Sequence, residues 1–185
     1  MSAACVHRFQ ITALDQGGSA ITYSHRSSVL NGYGALDGNN EPEFDSIVRE
    51  AATSLGTPIA LVSLLDENRQ WFKAKVGLSI SETPLSMSFC THAVQQDGVF
   101  EVSDATRDDR FANNPLVTGD PNIRFYAGVP LRTPSGGRIG TICVIDSRPR
   151  RGLSAEEKDY LEALAARVMM LLEDRKRRGV AIRLA

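Results

Sequence analysis

The sequence predicts an α+β fold organised on a central antiparallel sheet that is covered on both faces, and three observations carry that expectation. Residues 123–146 hold two arms in which apolar residues recur with period two; a segment rich in turn residues, 133–137, separates the arms; and helical periodicity brackets them at 44–55 and 161–171. In the first arm Ile123, Phe125, Ala127, Val129 and Leu131 share one face, while Arg124, Tyr126, Gly128 and Pro130 share the other. In the second arm Ile139, Thr141, Cys143 and Ile145 alternate with Gly140, Ile142 and Val144. Pro134 fixes φ and Gly136 and Gly137 supply positive φ, so the arms are expected to close as a hairpin. A hairpin apolar on both faces belongs inside a sheet with a layer above and below, and Gly128 and Gly140 leave room for a helix or a ligand to approach the backbone.

Composition narrows the classes. A chain of 185 residues suits one domain of about 140 residues with tails. Its net charge of -1 provides no basic field for nucleic acid. No apolar run approaches the roughly 18 residues that would suggest a membrane span, and the first residues lack the apolar core of a signal peptide, so a cytoplasmic protein without a membrane partner is expected. Cysteines at 5, 90 and 143, with no CxxC pair, argue against a disulfide framework and against a zinc site.

In chain order, residues 1–40 carry glycines and serines with no sustained period and read as a flexible leader, in which the apolar piece 6–14 is a candidate extra strand. Phe44, Ile47, Val48, Ala51 and Leu55 then mark one face of a helix that Gly56 and Pro58 end. The run 59–65 and the stretch 71–76, joined by a polar turn at 66–69, read as paired strands, with Trp71 and Phe72 on opposite faces. Residues 77–87 read as irregular, 89–94 as a short helix stopped by Gly98, and 99–102 as a strand. Thr106 and Asp109 have capping-box spacing for a short helix through Ala112, which 113–115 end; 116–122 read as a loop. After a basic connector at 147–152, Ser154 and Glu157 form a second capping box. It opens a helix over 155–178, on the order of 36 Å long at about 1.5 Å per residue, before an uninformative tail at 179–185.

Four segments in this order, ALVSLLDENRQWFKAKVGL (60–78), SFCTHAV (88–94), VSDATRDDRFANNPLV (102–117) and FYAGVPLRTPSGGRIGTICVID (125–146), resemble the GAF domain. The version is the one found in bacterial sensor histidine kinases and cyclic-di-nucleotide signalling proteins, and the likeness spans about 43–175. It implies a PAS-like fold with five or six antiparallel strands, the terminal helices packed on one face and a small-molecule pocket on the other, within a domain placed at 41–178. It further implies a sensory or dimerising module of signal transduction, whose ligand is unknown and whose output lies in a separate partner or segment.

On that resemblance, position makes Phe89, His92, Asp104, Arg110, Phe111, Arg124 and Tyr126 the candidate pocket residues, with an anionic ligand expected where Arg110 or Arg124 points inward. Each has a plainer reading. His92 suits a core histidine, and the charged run 104–110 suits a helix N-terminus with solvated ion pairs. Cys90 reads as a small buried apolar residue; two positions from His92 on a helix, it would not meet the imidazole. Photoreceptor GAF domains attach a bilin through a cysteine followed immediately by histidine, whereas Thr91 intervenes here, and the motif of cyclic-nucleotide-binding relatives is incomplete. No paired carboxylates, nucleophile motif, phosphate loop or metal-ligand spacing appears, so catalysis is not expected; the alternative is a redox enzyme resembling the free methionine sulfoxide reductases and working through Cys90, or a ligand-free dimer scaffold. Finally, Leu161, Leu164, Val168 and Leu171 repeat at heptad spacing in a seam narrower than a helix buried on its own sheet usually shows, which predicts a homodimer through the last helix.

Overall fold

In a computed structural model of the chain, which describes residues 23–36 and 41–183, six strands form one sheet in the order β3-β2-β1-β6-β5-β4, every neighbouring pair antiparallel. The strands are β1 (Ile59–Leu65), β2 (Arg69–Val76), β3 (Glu82–Pro84), β4 (Phe100–Val102), β5 (Phe125–Arg132) and β6 (Arg138–Asp146). Helices α1 (Tyr23–Tyr33), α2 (Pro42–Ser54) and α5 (Ala155–Arg183) are long; α3 (Cys90–Ala93) and α4 (Pro115–Thr118) are single turns. The central hairpin forms as expected: β5 and β6 pair from Phe125↔Asp146 to Arg132↔Arg138, and Gly136 sits at φ +84° in the turn. The Thr133 side chain closes that turn by accepting from the Gly137 amide at 2.9 Å.

Alternation along the strands sorts the core into two layers. Ala60, Val62, Leu64, Phe125, Ala127, Val129, Ile142 and Val144 face α1, α2 and α5. Ile59, Leu61, Leu65, Phe72, Tyr126, Cys143 and Ile145 face the segment that contains α3 and α4. Both faces of β1 and β6 are therefore buried, which is why these strands read as almost continuous apolar runs. Trp71 and Phe72 pack on opposite layers, Phe72 buried and Trp71 partly so. Lys73 is the extra residue of a bulge where β2 passes Val62 and Ser63, and the bulge aims its ammonium at the Glu41 carboxylate, 2.6 Å away in the helical layer.

Several expectations are corrected. Residues 23–36, read as part of a flexible leader, contain α1, and Leu30, Tyr33 and Ala35 are buried in the helical layer. Lacking a clear amphipathic period, α1 owes its place to tertiary ties: Arg175 of α5 donates to the Tyr33 and Gly34 carbonyls at 3.1 and 2.8 Å, and the Tyr33 hydroxyl donates to Glu173. The candidate strand at 6–14 lies outside the described residues. Glu82–Pro84, read as irregular, pairs with β2 as an edge strand ending in proline. No capping box forms at 106–109; instead Asp104 caps a 3₁₀ turn over Ala105–Arg107 by accepting from the Thr106 amide at 3.1 Å. Pro115, read as a stop, opens α4 under an Asn114 cap, as suits a proline in the first turn of a helix.

The second capping box is present, with the Ser154 amide donating to Glu157 at 2.7 Å and the Glu157 amide to Ser154 at 3.2 Å. Beyond it α5 runs to Arg183, past the predicted end at 178 and through Gly179, a residue that weakens a helix by about 1 kcal/mol without forbidding it. Its heptad seam does not face outward. Leu161, Leu164 and Val168 are buried against the sheet together with Ala165, Met169 and Leu172, so most of the seam belongs to the chain's own core, and its fourth member, Leu171, is partly buried against the same cluster.

Candidate functional site

Four adjacent strands, β2, β1, β6 and β5, each place polar or thiol side chains on the face opposite the long helices, and all of these groups converge on one sulfur. Ser63 and Thr141 stand directly opposite each other in the β1–β6 ladder. Gln70 reaches in from β2 and Tyr126 from β5, while Cys90, at the start of α3, lowers its thiol onto them from above. Ser63 Oγ, Gln70 Nε2 and Tyr126 OH each donate to Cys90 Sγ at 3.2 Å, and Thr141 Oγ1 does so at 3.0 Å. Ser63 and Thr141 also touch each other at 3.0 Å. Each hydroxyl carries one proton, so at least three of the four donors hold the sulfur whichever way that contact is made.

This cage is dry. Cys90 is 1% exposed, and Ser63, Tyr126, Thr141 and Cys143 are completely buried. Above it lies an aromatic roof in which Phe89 stacks on Phe111 with ring centroids 4.0 Å apart and on Tyr126 at 5.3 Å. Gly128 gives the tyrosine its position: a Cβ there would lie 2.4 Å from the Tyr126 hydroxyl. The room expected beside Gly128 is thus taken by a side chain of the same strand, and that beside Gly140 by the Ser63 carbonyl of β1, not by a helix or a ligand.

Donors aimed at a sulfur in a low-dielectric interior favour its anion. Burial opposes ionisation of Cys90, but hydrogen bonds from Cys143, Ser63, Thr141 and Tyr126 outweigh it, pulling the thiol from its ordinary 9.0 down to about 6. Cys143 moves the other way: its hydrogen bond to Cys90 and its own burial push it well above 9.0, so the pair releases one proton readily and holds the second. Burial and the neighbouring Cys90 likewise raise the Tyr126 phenol and keep it a donor.

A cavity of 30 Å³ adjoins the cage, with Gln70, Thr83 and Cys90 as its polar edge and Leu61, Leu78 and Ile80 among its apolar walls. The Thr83 side-chain oxygen is buried with no hydrogen-bond partner among the described residues.

The seven predicted pocket residues separate into two groups. Phe89, Phe111 and Tyr126 are brought together over Cys90. His92 packs edge-on to Phe111 at 4.9 Å and lies 6.3 Å from Phe100, and it is not among the hydrogen-bond donors that hold the Cys90 sulfur. Burial lowers its pKa, and the positive charge of Arg110 lowers it further, against the opposing pull of Asp108. Arg110 does not line the cavity: it is held by Asp108 at 2.8 and 2.5 Å and lies over the rings of Phe100 and Phe111, 5.0 and 5.2 Å from their centroids. Arg124 donates to the Val117 and Ile123 carbonyls at 2.8 and 3.0 Å, and Asp104 caps its 3₁₀ turn. With neither guanidinium lining the cavity and the sheet face filled by aromatic rings, the expected anionic pocket loses its basis. Cys90, read as a small apolar residue, is instead the most hydrogen-bonded side chain of the site. The signal available in the sequence was the lone hydroxyl in each of two otherwise apolar strands, Ser63 in ALVSLL and Thr141 in IGTICVID.

A six-stranded antiparallel sheet with terminal helices on one face and short turns over a buried, polar-lined site on the other defines an open-sheet class of α+β domain. The GAF domain family model matches residues 39–172, and the chain belongs to that family. It is 46% identical over 144 residues to a cyclic di-GMP phosphodiesterase of Pseudomonas aeruginosa, covering 78% of this chain but only 24% of that protein. Among solved structures it resembles a domain of a putative two-component sensor histidine kinase from Sinorhizobium meliloti 1021 (TM-score 0.59, 19% identity, 79% of this chain and 99% of that one). It also resembles the free methionine-R-sulfoxide reductase of Neisseria meningitidis in complex with its substrate (TM-score 0.58, 16% identity, 91% and 99% covered). At such identities these structures speak for the shared fold alone.

Proposed function

We propose that this chain is a non-catalytic sensory module of bacterial signal transduction, which converts an event at the Cys90 face of the sheet into a change in the helical layer on the other face. The observation that carries this reading is the 46% identity with one segment of a signalling phosphodiesterase, of which the chain spans about a quarter. Turnover of cyclic di-GMP then belongs to the rest of such a protein, and this domain regulates it. The layout supports relay: β1, β5 and β6 are shared by both layers, and α5 lies on the sheet directly behind the site. Among the described residues no helix is long and apolar enough to cross a membrane.

Homodimerisation is part of the proposal, through the outer side of α5. There Met170 is 62% exposed beside a groove of 620 Å³ whose walls include Val129, Pro130, Pro134 and Ala166. The redox-enzyme alternative has less support, because a free amino acid calls for a pocket nearer the roughly 300 Å³ at which small-molecule sites begin, and the cavity beside Cys90 offers 30 Å³. The test is a chimera in which this chain replaces the aligned segment of the phosphodiesterase. Regulated cyclic di-GMP turnover that becomes unregulated on Cys90→Ser is the expected result. Reductant-dependent turnover of free methionine sulfoxide by the isolated chain, abolished by the same substitution, would overturn the non-catalytic reading.

A further inference from the structure

We propose that Cys90 is a peroxide-reactive thiol and Cys143 its resolving partner, with the adjoining cavity admitting one hydrogen peroxide molecule held by Thr83 and Gln70. The proposal takes the sensory reading as its setting and names the input to that module.

Three independent features meet at this point. The first is the cage: a thiol needs no more than one or two hydrogen-bond partners, yet at least three donors from different strands hold this sulfur, an arrangement suited to a thiolate. The second is the Thr83 hydroxyl, buried and without a partner among the described residues, on the wall of the same cavity as the thiol. Buried hydroxyls are almost always hydrogen-bonded, so one retained without a partner beside a reactive group is explained by a polar guest. The third is size. The 30 Å³ available holds about two water-sized bodies, which suits the two oxygens of hydrogen peroxide. Ile80 lines the cavity and is also 43% exposed, so that wall of the cavity borders solvent.

The chemistry balances with peroxide as the only oxidant. The Cys90 thiolate attacks one peroxide oxygen; an S–O bond forms, the O–O bond breaks, and the departing hydroxide takes up the proton that the thiol released, leaving a sulfenic acid and water. Sulfur is oxidised by two electrons and peroxide is reduced. Cys143, two residues along β6 from Thr141 and in the same buried cluster as Cys90, then attacks the sulfenic sulfur, so that an S–S bond forms, the S–O bond breaks and a second water leaves with the Cys143 proton. A low-molecular-weight thiol resets the pair by exchange, two equivalents being oxidised for each disulfide reduced. Closing the disulfide draws α3 toward β6, which links the chemistry to the strand that also faces α5.

Acidity alone contributes little to rate. Ionisation at about 6 instead of 9.0 raises the thiolate fraction at neutral pH about 90-fold, but the weaker nucleophile loses about 15- to 30-fold, for a net gain of about three- to six-fold. Further acceleration must come from holding the peroxide, which is the role assigned to Thr83 and Gln70.

The experiment treats the reduced full-length chain with hydrogen peroxide, quenches with an alkylating agent and follows each cysteine by peptide mapping, with the urea-unfolded chain as reference. Expected are a Cys90–Cys143 disulfide as the first product and Cys90 oxidation at least about three-fold faster folded than unfolded. In Cys143→Ala, dimedone added together with urea once the peroxide has been removed should trap a Cys90 sulfenic acid. Thr83→Val should slow Cys90 oxidation several-fold while leaving thermal stability unchanged or higher, which separates a role in holding peroxide from a structural one. Cys90 oxidised no faster in the folded chain than in the unfolded one, or no dimedone adduct in Cys143→Ala, overturns the proposal. Hydrogen exchange in α5 distinguishes it from the sensory reading: Cys90 that oxidises while α5 exchanges as before upholds the thiol chemistry and counts against relay.

Discussion

Raising the pH from about 6.5 to about 8.5 under reducing conditions is expected to stabilise the folded chain by about 2 kcal/mol through Cys90. Its thiol ionises at about 6 in the folded state and at its ordinary 9.0 once unfolded. Between those values the unfolded chain binds more protons, so stability rises with pH. The contribution is complete above 9.0 and is lost as the pH falls toward 6. The full preference for the thiolate is on the order of 4 kcal/mol, of which the chosen window captures about half. Cys143 and Tyr126, both raised, act with the opposite sign but only above their ordinary values of 9.0 and 10.0, outside the window. His92, lowered by burial, adds a slope of the same sign below 6.5, which the lower limit avoids. The assay is urea unfolding at several pH values for the wild type and for Cys90→Ala, whose overall loss of stability is irrelevant because only the difference in slope is read. A wild-type slope equal to that of Cys90→Ala, or stability falling with pH across this window, would refute the thiolate cage.

Three further outcomes are expected. Tyr126→Phe removes one donor without changing the ring's packing, so the Cys90 ionisation midpoint should move upward, read by thiolate absorbance against pH, at a stability cost of about 1 kcal/mol. Phe111→Ala opens the aromatic roof and should destabilise by about 3–5 kcal/mol in urea unfolding, whereas Arg110→Ala, on a half-exposed ion pair, should cost less than about 1 kcal/mol. Leu164→Glu should abolish cooperative unfolding, because that side chain is in the core; on the proposed dimerisation through the outer side of α5, the wild type should sediment as a dimer and Met170→Glu as a monomer with an unchanged circular dichroism spectrum.

The arrangement of α1, Glu41 and α5 bears on how a signal leaves the sheet. Glu41, which precedes α2, pairs with Lys73 of β2 and with Arg175 of α5, and Arg175 also holds the end of α1. Strand, leading helix and trailing helix thus meet at one carboxylate. A displacement of β2, whose Gln70 touches Cys90 on the other face, would reach both helices through this single junction.

Period-two and helical patterns made the hairpin, β1, α2 and the start of α5 legible in the sequence, because each is dictated by residues within one element: a turn with proline and glycine, an apolar stripe, a Ser–Glu capping box. The four ordered motifs also identified the family. Tertiary structure alone decided which face each stripe meets. The heptad seam Leu161, Leu164, Val168 has the same spacing whether it packs on a second helix or on a sheet, and only the proximity of β5 and β6 turns it inward. Helix α1 has no period of its own and exists through partners some 140 residues away in the chain. The same holds for the site. Tyr126 and Cys90 could be picked out as candidates one by one, but Ser63, Gln70, Cys90, Tyr126 and Thr141 lie in five separate elements, and a thiol's acidity is set by distances of about 3 Å between strands, a quantity that no local spacing encodes.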